Sequence, residues 1–149
     1  MTQPFLLVQL SDPHIGANWE AADAEPAAAL AAAVKAVQRL RPAPDAVLVS
    51  GDLAETAADA EYELLRELLA PLEAPLHVLP GNHDDRDAVH RHFGVPGAAG
   101  EPVQYAVDLG PLRLVVLDTT VPGEDGGRLD AERLGWLDSE LASVRDVPT

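Results

Sequence analysis

Residues 76–84 read Leu-His-Val-Leu-Pro-Gly-Asn-His-Asp, and the interpretation of the whole chain starts from this stretch. Its first four residues are predicted to form a short buried strand. Gly81, Asn82, His83 and Asp84 follow where that strand is expected to end. Alone, such a tetrapeptide is compatible with an ordinary turn in which short polar side chains bond the backbone. Its meaning therefore depends on the ends of the other strands.

Two earlier apolar runs end in a similar way. The run over residues 5–10 precedes Ser11-Asp12-Pro13-His14, and the run over residues 46–49 precedes Gly51-Asp52. The second run is continuous rather than alternating, which is typical of a strand buried on both faces of a parallel sheet. Ligands of open α/β sheets bind at the carboxyl edge of the strands. We therefore expect the polar residues after all three strands to converge on one crevice.

Helical patterns separate these strands. Residues 26–41 and 58–72 carry apolar side chains near the 3.6-residue period, and a short helix is expected near residues 86–92. The order β-α-β-α-β predicts right-handed crossovers and a parallel sheet. The side chains expected to face the sheet are Leu30, Val34, Val37 and Leu40 in the first helix, and Leu64, Leu65, Leu68, Leu69 and Leu72 in the second.

The second half of the chain has a different character. Residues 104–109 and 112–117 flank Gly110-Pro111, which predicts a hairpin or tight connection. A last helix is expected over residues 130–144, with its apolar residues on one side. That side consists of Leu134, Leu137, Leu141 and Val144. The fold class predicted is α/β: a β-α-β-α-β start, then a hairpin and a helix.

Composition limits the classes of function. The chain has 149 residues, 25 acidic and 10 basic side chains, and a net charge of −15. So acidic a surface argues against a nucleic-acid duplex as partner, because phosphate backbones are bound through lysine and arginine. No cysteine is present, so disulfides and thiolate metal sites are excluded. We expect no membrane partner and a cytoplasmic location, since the sequence shows neither a long apolar span nor a basic leader.

The chemistry of the convergent residues points to metal. Carboxylate, amide and imidazole ligands without sulfur suit Mn, Fe or Zn, and several carboxylates in one crevice repel each other unless a cation lies between them. One carboxylate can bridge two ions about 3.5–4 Å apart, and Asp52, at the end of the middle strand in chain order, is the candidate bridge. The convergent set is Asp12, His14, Asp52, Asn82, His83 and Asp84.

Other polar and aromatic residues are weaker candidates than this set. His90 and His92 have the spacing of a chelate, but residues two apart on a helix point to different sides. Asp118 follows the fifth predicted strand and is compatible either with a ligand or with a turn capped by the threonines after it. Trp19, in the loop after His14, is a candidate for lining a pocket.

The three motifs resemble a known family. Asp12-x-His14, Gly51-Asp52 and Gly81-Asn82-His83-Asp84 are similar, in order and in strand-end placement, to the first three metal motifs of calcineurin-like metallophosphoesterases. Residues 117–123, Leu-Asp-Thr-Thr-Val-Pro-Gly, and residues 134–137, Leu-Gly-Trp-Leu, further resemble bacterial class III cyclic-nucleotide phosphodiesterases and glycerophosphodiesterases. The resemblance covers essentially the whole chain. It implies an αββα-sandwich fold, with residues 1–149 as the amino-terminal part of a single domain.

The resemblance also implies roles for individual residues. Asp12 and His14 would bind the first metal, Asp52 would bridge both metals, and Asn82 would bind the second. His83 and Asp84 would be catalytic residues. In that role His83 contacts the scissile phosphate as proton donor or charge stabiliser, and Asp84 orients His83 from behind.

The motifs with which this family continues, often His-His-Pro-Pro and then Gly-His-x-His, are not found in this sequence. The resemblance therefore implies a truncated domain that holds at most one of two divalent ions well. Such a chain is expected to be inactive by itself. Exposed sheet surface would favour self-association.

Three functions follow from this interpretation. The first is hydrolysis of 3′,5′-cyclic nucleotides of the cAMP type by a two-metal hydroxide mechanism. The second keeps the chemistry and changes the substrate to glycerophosphodiesters or other small phosphodiesters. The third is a non-enzymatic fragment that binds metal weakly. Pocket side chains decide between the first two, and the missing histidines favour the third for this polypeptide.

Overall fold

The computed structural model describes residues 4–16, 25–144 and 146–149. Its elements follow the predicted order closely. The strands are β1 (Leu7–Ser11), β2 (Ala46–Ser50), β3 (Leu76–Leu79), β4 (Tyr105–Asp108) and β5 (Arg113–Val116). The helices are α1 (Pro26–Gln38), α2 (Asp59–Leu69), α3 (Arg86–Phe93) and α4 (Ala131–Ser143).

Strands β1, β2 and β3 form a parallel sheet in that order, as the βαβ pattern predicts. Residues of one pleat, including Val49 and Val78, belong to the core together with Leu30 of α1 and Leu65 of α2. Residues of the opposite pleat include the exposed Gln9 and Ser11 of β1. The sheet therefore has one apolar face that is covered by helices and a more polar face on the other side.

Helices α1 and α2 follow their predicted stripes with one exception in α1. Leu30, Val34 and Val37 are buried, but Leu40 is 39% exposed. The α-helix ends at Gln38, two residues before Leu40, so this side chain no longer follows the helical period. In α2 the stripe extends to two residues that the apolar pattern does not include, the buried Tyr62 and Glu61.

Strands β4 and β5 form the predicted antiparallel hairpin as a separate two-stranded sheet. The hydroxyl of Tyr105 links it to the parallel sheet. Tyr105 accepts a hydrogen bond from the Val78 amide at 3.1 Å and donates one to the Val78 carbonyl at 2.8 Å. These two backbone groups face away from β2, so the tyrosine satisfies part of the outer edge of β3, an edge that would otherwise be open to pairing.

In helix α4 part of the predicted apolar stripe is exposed. Its apolar residues Leu134 and Leu141 are 48% and 43% exposed, whereas Arg133 is buried. Arg133 donates to the main-chain carbonyls of Asp118 and Thr120, at 3.0 Å each. Polar contacts to the loop after β5 therefore set the position of this helix, and they override its hydrophobic pattern. None of the helices in the described ranges is long and apolar enough to cross a membrane.

Candidate metal centre

The loops that follow β1 and β2 stay side by side beyond the ends of the strands. The His14 amide donates to the Asp52 carbonyl at 2.9 Å, and the Glu55 amide donates to the Ile15 carbonyl at 3.0 Å. An isolated parallel bridge pairs Ile15 with Ala54 in the register of the strands themselves. The backbone therefore brings the polar residues after β1 next to those after β2.

Three of the predicted ligands have unusual backbone conformations. The φ angles are 54° at Asp12, 42° at His14 and 44° at Asp52. Positive φ is uncommon outside glycine, and such residues concentrate at functional sites, where the surrounding structure holds them. Ala57, at 58°, is the one other non-glycine residue of this kind in the described part of the chain. Backbone strain thus coincides with the predicted site.

Gly81 brings the loop after β3 against the loop after β2. A Cβ atom at this position would overlap the amide nitrogen and the carboxylate of Asp52. Gly51, with φ of 73°, has the left-handed conformation that glycine adopts without steric cost, and a Cβ there would lie 3.5 Å from the Cα of Gly81. Gly81 therefore permits the close approach that puts Asn82 and His83 beside Asp52, and Gly51 permits the left-handed turn before Asp52.

Asp12, His14 and Asp52 form the centre of the cluster. One ligand atom from each lies within 4.8 Å of the other two. His14 Nε2 is 3.5 Å from Asp52 Oδ2, so this ring nitrogen faces the carboxylate. A cleft of about 230 Å³ beside them is lined by Asp12, Asp52 and the exposed Asn82, together with residues 125–127.

The charges and donor atoms of the cluster fit a divalent cation. Across residues 4–16, 25–144 and 146–149, no lysine or arginine forms an ion pair with Asp12 or Asp52. Two carboxylates and one imidazole that face each other without a cationic side chain suit a hard or borderline divalent ion. Such an ion would also remove the repulsion between the carboxylates.

His83 lies next to this cluster with one ring nitrogen already engaged. Its Nδ1 is 3.0 Å from the Glu55 main-chain carbonyl, and its backbone amide donates to Asp52 Oδ1 at 3.2 Å. The bond to the Glu55 carbonyl is the main reason why the pKa of His83 is raised, and the Asp52 and Glu55 carboxylates add to this. The second ring nitrogen remains available for a proton or a substrate oxygen.

Asp84 makes different contacts from those expected. Its carboxylate accepts hydrogen bonds from the amides of Leu53, Ala54 and Gly81, at 2.9, 3.0 and 2.8 Å. The hydroxyl of Tyr62 donates to the same carboxylate at 3.1 Å. Asp84 thus ties the loop after β2 to the loop after β3, whereas the His83 ring bonds to Glu55. Burial raises the pKa of Asp84, and burial also raises the pKa of Tyr62.

Glu55 is the residue of this cluster that sequence reasoning missed. Its carboxylate lies 2.8 Å from His14 Nδ1, and its backbone carbonyl contacts His83. Glu55 belongs to none of the three motifs, and a lone acid in a loop carries no signal. If the parallel register is extended past the ends of β1 and β2, it predicts that Glu55 lies next to residues 14–16.

Asp118 is not available for a cation. It is fully buried, and one carboxylate oxygen lies 2.7 Å from Arg86 Nε. The same oxygen accepts from the Val103 amide, and the other accepts from the amide and hydroxyl of Thr120, at 2.7 Å each. Of the two interpretations left open for Asp118, the structure supports the capped turn, and it adds an ion pair to it.

The remaining candidates lie elsewhere. His92 contacts Asp59 at 2.7 Å and stacks on Tyr62, whereas His90 Nδ1 lies 3.2 Å from the Val95 carbonyl. These two histidines therefore face different neighbours, as expected for residues two apart on a helix. Trp19 lies outside the described residues.

The fold and the cluster together define an α/β protein with a candidate cation-binding site at the carboxyl ends of parallel strands. Residues 5–143 match the family model for calcineurin-like phosphoesterases. The chain therefore belongs to this family, as the three motifs predict. In a search of solved structures, the purple acid phosphatase PPD1 from yellow lupin shares the fold, with a TM-score of 0.67 over 93% of this chain and 27% of that chain, at 18% identity.

Curated relatives include phosphodiesterases of two substrate classes. The chain is 31% identical to a probable glycerophosphodiester phosphodiesterase of Arcobacter nitrofigilis, over 95% of this chain and 53% of that protein. It is 36% identical to a 3′,5′-cyclic adenosine monophosphate phosphodiesterase of Pseudomonas aeruginosa, over 93% and 50%. A cAMP/cGMP dual specificity phosphodiesterase of Mycobacterium tuberculosis matches at 34%, over 93% and 46%. The chain thus spans about half the length of the curated relatives it matches.

Proposed function

We propose that this chain supplies metal ligands and catalytic groups to a phosphodiesterase that hydrolyses 3′,5′-cyclic nucleotides of the cAMP type by a two-metal mechanism. The observation that carries the proposal is the cluster of Asp12, His14 and Asp52, whose ligand atoms lie within 4.8 Å of one another. In the described part of the chain, no lysine or arginine forms an ion pair with either carboxylate. The relatives named as phosphodiesterases support the reaction class.

We assign each side chain a role from its position in the site. Asp12 and His14 Nε2 would hold one ion, Asp52 would be a ligand shared by both ions, and Asn82 would offer its amide oxygen to the second. His83 holds a proton near the leaving oxygen and stabilises its charge. Asp84 holds the loops after β2 and β3 together through the three backbone amides that donate to its carboxylate, so that Asn82 and His83 stay beside Asp52.

Bound divalent ions, whether Mn, Fe or Zn, would lower the pKa of an attacking water and neutralise charge on the phosphoryl oxygens. Among the described residues, the assigned ligands would offer the first ion three side chains and the second ion Asp52 and Asn82. We therefore propose that these 149 residues hold one ion well and turn over substrate poorly by themselves.

Metal binding is the most direct test. Mn²⁺ is titrated into residues 1–149, and the free ion is followed by electron paramagnetic resonance. We expect one well-held ion, and its loss in Asp52→Asn, which keeps the shape of the side chain but removes the charge. Binding that is unchanged in Asp52→Asn would contradict the assigned ligand set.

Substrate class can be tested without turnover. Bound Mn²⁺ shortens the ³¹P relaxation time of a phosphodiester held next to it. We expect a larger effect on 3′,5′-cAMP than on glycerophosphoethanolamine, with Asp52→Asn as the control for ions in solution. An equal or reversed order would favour the glycerophosphodiester alternative. No effect on either ester, with the ion bound, would favour a non-enzymatic metal-binding fragment.

A substitution of His83 distinguishes metal binding from catalysis in any active form of the protein. We expect His83→Ala to keep its metal content while its rate falls about 10²–10⁴-fold, the usual contribution of a general acid. Loss of one ion per site would make His83 a ligand and overturn its assignment.

A further inference from the structure

Glu55 contacts both histidines of the site, each through a different group. Its side-chain Oε2 lies 2.8 Å from His14 Nδ1, and its main-chain carbonyl lies 3.0 Å from His83 Nδ1. The two rings meet edge to face with centroids 4.9 Å apart. One residue outside the three motifs therefore engages the same nitrogen on both imidazoles.

An imidazole hydrogen bond determines which ring nitrogen carries the proton. A neutral imidazole has one N–H donor and one lone-pair acceptor, and the partner of one nitrogen fixes the state of the other. A carboxylate or carbonyl at Nδ1 can only accept, so it requires the proton at Nδ1 and leaves Nε2 with a free lone pair. His14 Nε2 is the nitrogen that faces Asp52 Oδ2, at 3.5 Å.

We propose that Glu55 is a positioning residue that sets the Nδ1–H form of both histidines, through its carboxylate for His14 and through its backbone carbonyl for His83. His14 Nε2 is then presented to a cation, and His83 Nε2 is presented to the substrate. The part that these tautomers would play in catalysis rests on the proposed function, but the tautomers themselves can be measured in the metal-free protein.

Glu55 contacts His14 through its side chain and His83 through its backbone, so a substitution of Glu55 is expected to affect the two histidines differently. Replacement of the Glu55 side chain removes the partner of His14 and leaves the carbonyl partner of His83 in place. His14 is therefore expected to change its tautomer while His83 keeps its own. The retained signal of His83 also reports that the loop is still folded.

Tautomers are read from long-range ¹H–¹⁵N correlation spectra at a pH where histidines are neutral. In the wild type, both His14 and His83 are expected in the Nδ1–H form. In Glu55→Ala, His14 should shift toward the Nε2–H form that free histidine prefers, and His83 should not. Glu55→Gln should restore His14, because the amide oxygen still accepts from Nδ1–H. Glu63→Ala, an exposed glutamate of α2, controls for the lost charge.

Mn²⁺ affinity is measured on the same four proteins. Partners that orient a metal-binding histidine typically contribute about 10–100-fold to metal affinity. We expect that loss in Glu55→Ala, with Glu55→Gln and Glu63→Ala close to the wild type. Glu55 is 31% exposed in its side chain, so a merely superficial ion pair would leave both tautomers and affinity unchanged and would overturn the proposal.

Two other results have distinct meanings. Equal losses in Glu55→Gln and Glu55→Ala would overturn the positioning role in favour of a direct ligand, since His14, Glu55 and His83 also offer ligand atoms within 4.8 Å of each other. A wild type that binds no Mn²⁺ but shows the selective tautomer change would support the positioning role and contradict the proposed function.

Discussion

The loop after β2 and the loop after β5 both contain an aspartate close to the end of a strand, but the two carboxylates have opposite surroundings. Asp118 is fully buried, and both of its oxygens are occupied by Arg86, the Val103 amide and Thr120. Asp52 accepts one backbone amide and faces the imidazole of His14. An aspartate that is paired with arginine serves the fold, whereas one among carboxylates and imidazoles remains available for a cation.

The largest effect is expected when the buried pair is broken. Asp118→Ala leaves the Arg86 guanidinium without its partner, and loss of one member of a buried ion pair costs about 3–5 kcal/mol. Urea unfolding measures this. Asp108→Ala is the matched control, because Asp108 pairs with Arg113 while 72% exposed, and we expect less than about 1 kcal/mol there. Similar values for the two variants would remove the distinction between the buried and the exposed aspartate.

The second prediction concerns Asp52 and depends on metal. Without ions, Asp52→Ala should change the free energy of unfolding by less than about 1.5 kcal/mol, because one amide bond is lost while repulsion with Asp12 is relieved. With Mn²⁺ at a hundred times its dissociation constant, the wild type should gain about 2.7 kcal/mol, and the variant nothing. Thermal unfolding with and without Mn²⁺ measures both. A full metal-induced gain in Asp52→Ala would show that the ion binds elsewhere.

Asp84 should combine the two effects, with a loss of stability like that of Asp118 and a loss of metal binding like that of Asp52. It is bound by neutral donors only, so Asp84→Ala orphans the amides of Leu53, Ala54 and Gly81 rather than a cation. One fully buried unsatisfied donor costs about 1–3 kcal/mol. These three contacts are only part-buried, so water can reach the amides in the variant, and we expect the total loss to stay in this range. Mn²⁺ binding should also weaken, because the loops after β2 and β3 separate. Urea unfolding and Mn²⁺ titration test the two parts. Unchanged metal binding would limit Asp84 to stability alone.

The smallest effect is expected at Asp59, an aspartate that is paired but exposed. The pKa of Asp59 lies below its ordinary value of 3.8. The main cause is a hydrogen bond from His92, and the second is a hydrogen bond from Arg91. The lowered pKa means that the charged form is favoured in the folded state. Its stabilisation is present above about pH 4 and is lost as the pH falls below 3.8. The difference in free energy of unfolding between wild type and Asp59→Asn should therefore shrink as the pH falls. A difference that grows below about pH 4 would contradict this prediction.

The elements of the molecule were predictable because their signals are local. The three apolar runs and the intervening helical periods predict β1 to α3 within a few residues of their observed bounds. The hairpin was indicated by Gly110-Pro111 between two apolar runs. Short strands followed by a polar motif leave few alternative arrangements once the parallel order is inferred, because crossovers are right-handed.

The orientation of α4 was not predictable from the same kind of signal. Its leucines form a stripe like that of α2, but α2 packs its stripe into the core whereas α4 buries Arg133 and leaves Leu134 exposed. A hydrophobic period indicates that a helix has an apolar side, and it does not indicate which surface that side meets. The carbonyls that bind Arg133 come from the loop after β5, which no local pattern connects to the helix.

By itself the sequence determined the order of the elements, the parallel sheet and the family, and it indicated which strand ends carry metal-binding chemistry, because these depend on local periodicity and on motifs at strand ends. The tertiary structure alone decided which carboxylates belong to the fold and which remain available. Asp84 joins two loops, Asp118 pairs with Arg86, and Glu55 reaches His14. These assignments arise from contacts between segments that are distant in sequence, and the free energy of a carboxylate depends on the donors and charges that those contacts bring to it.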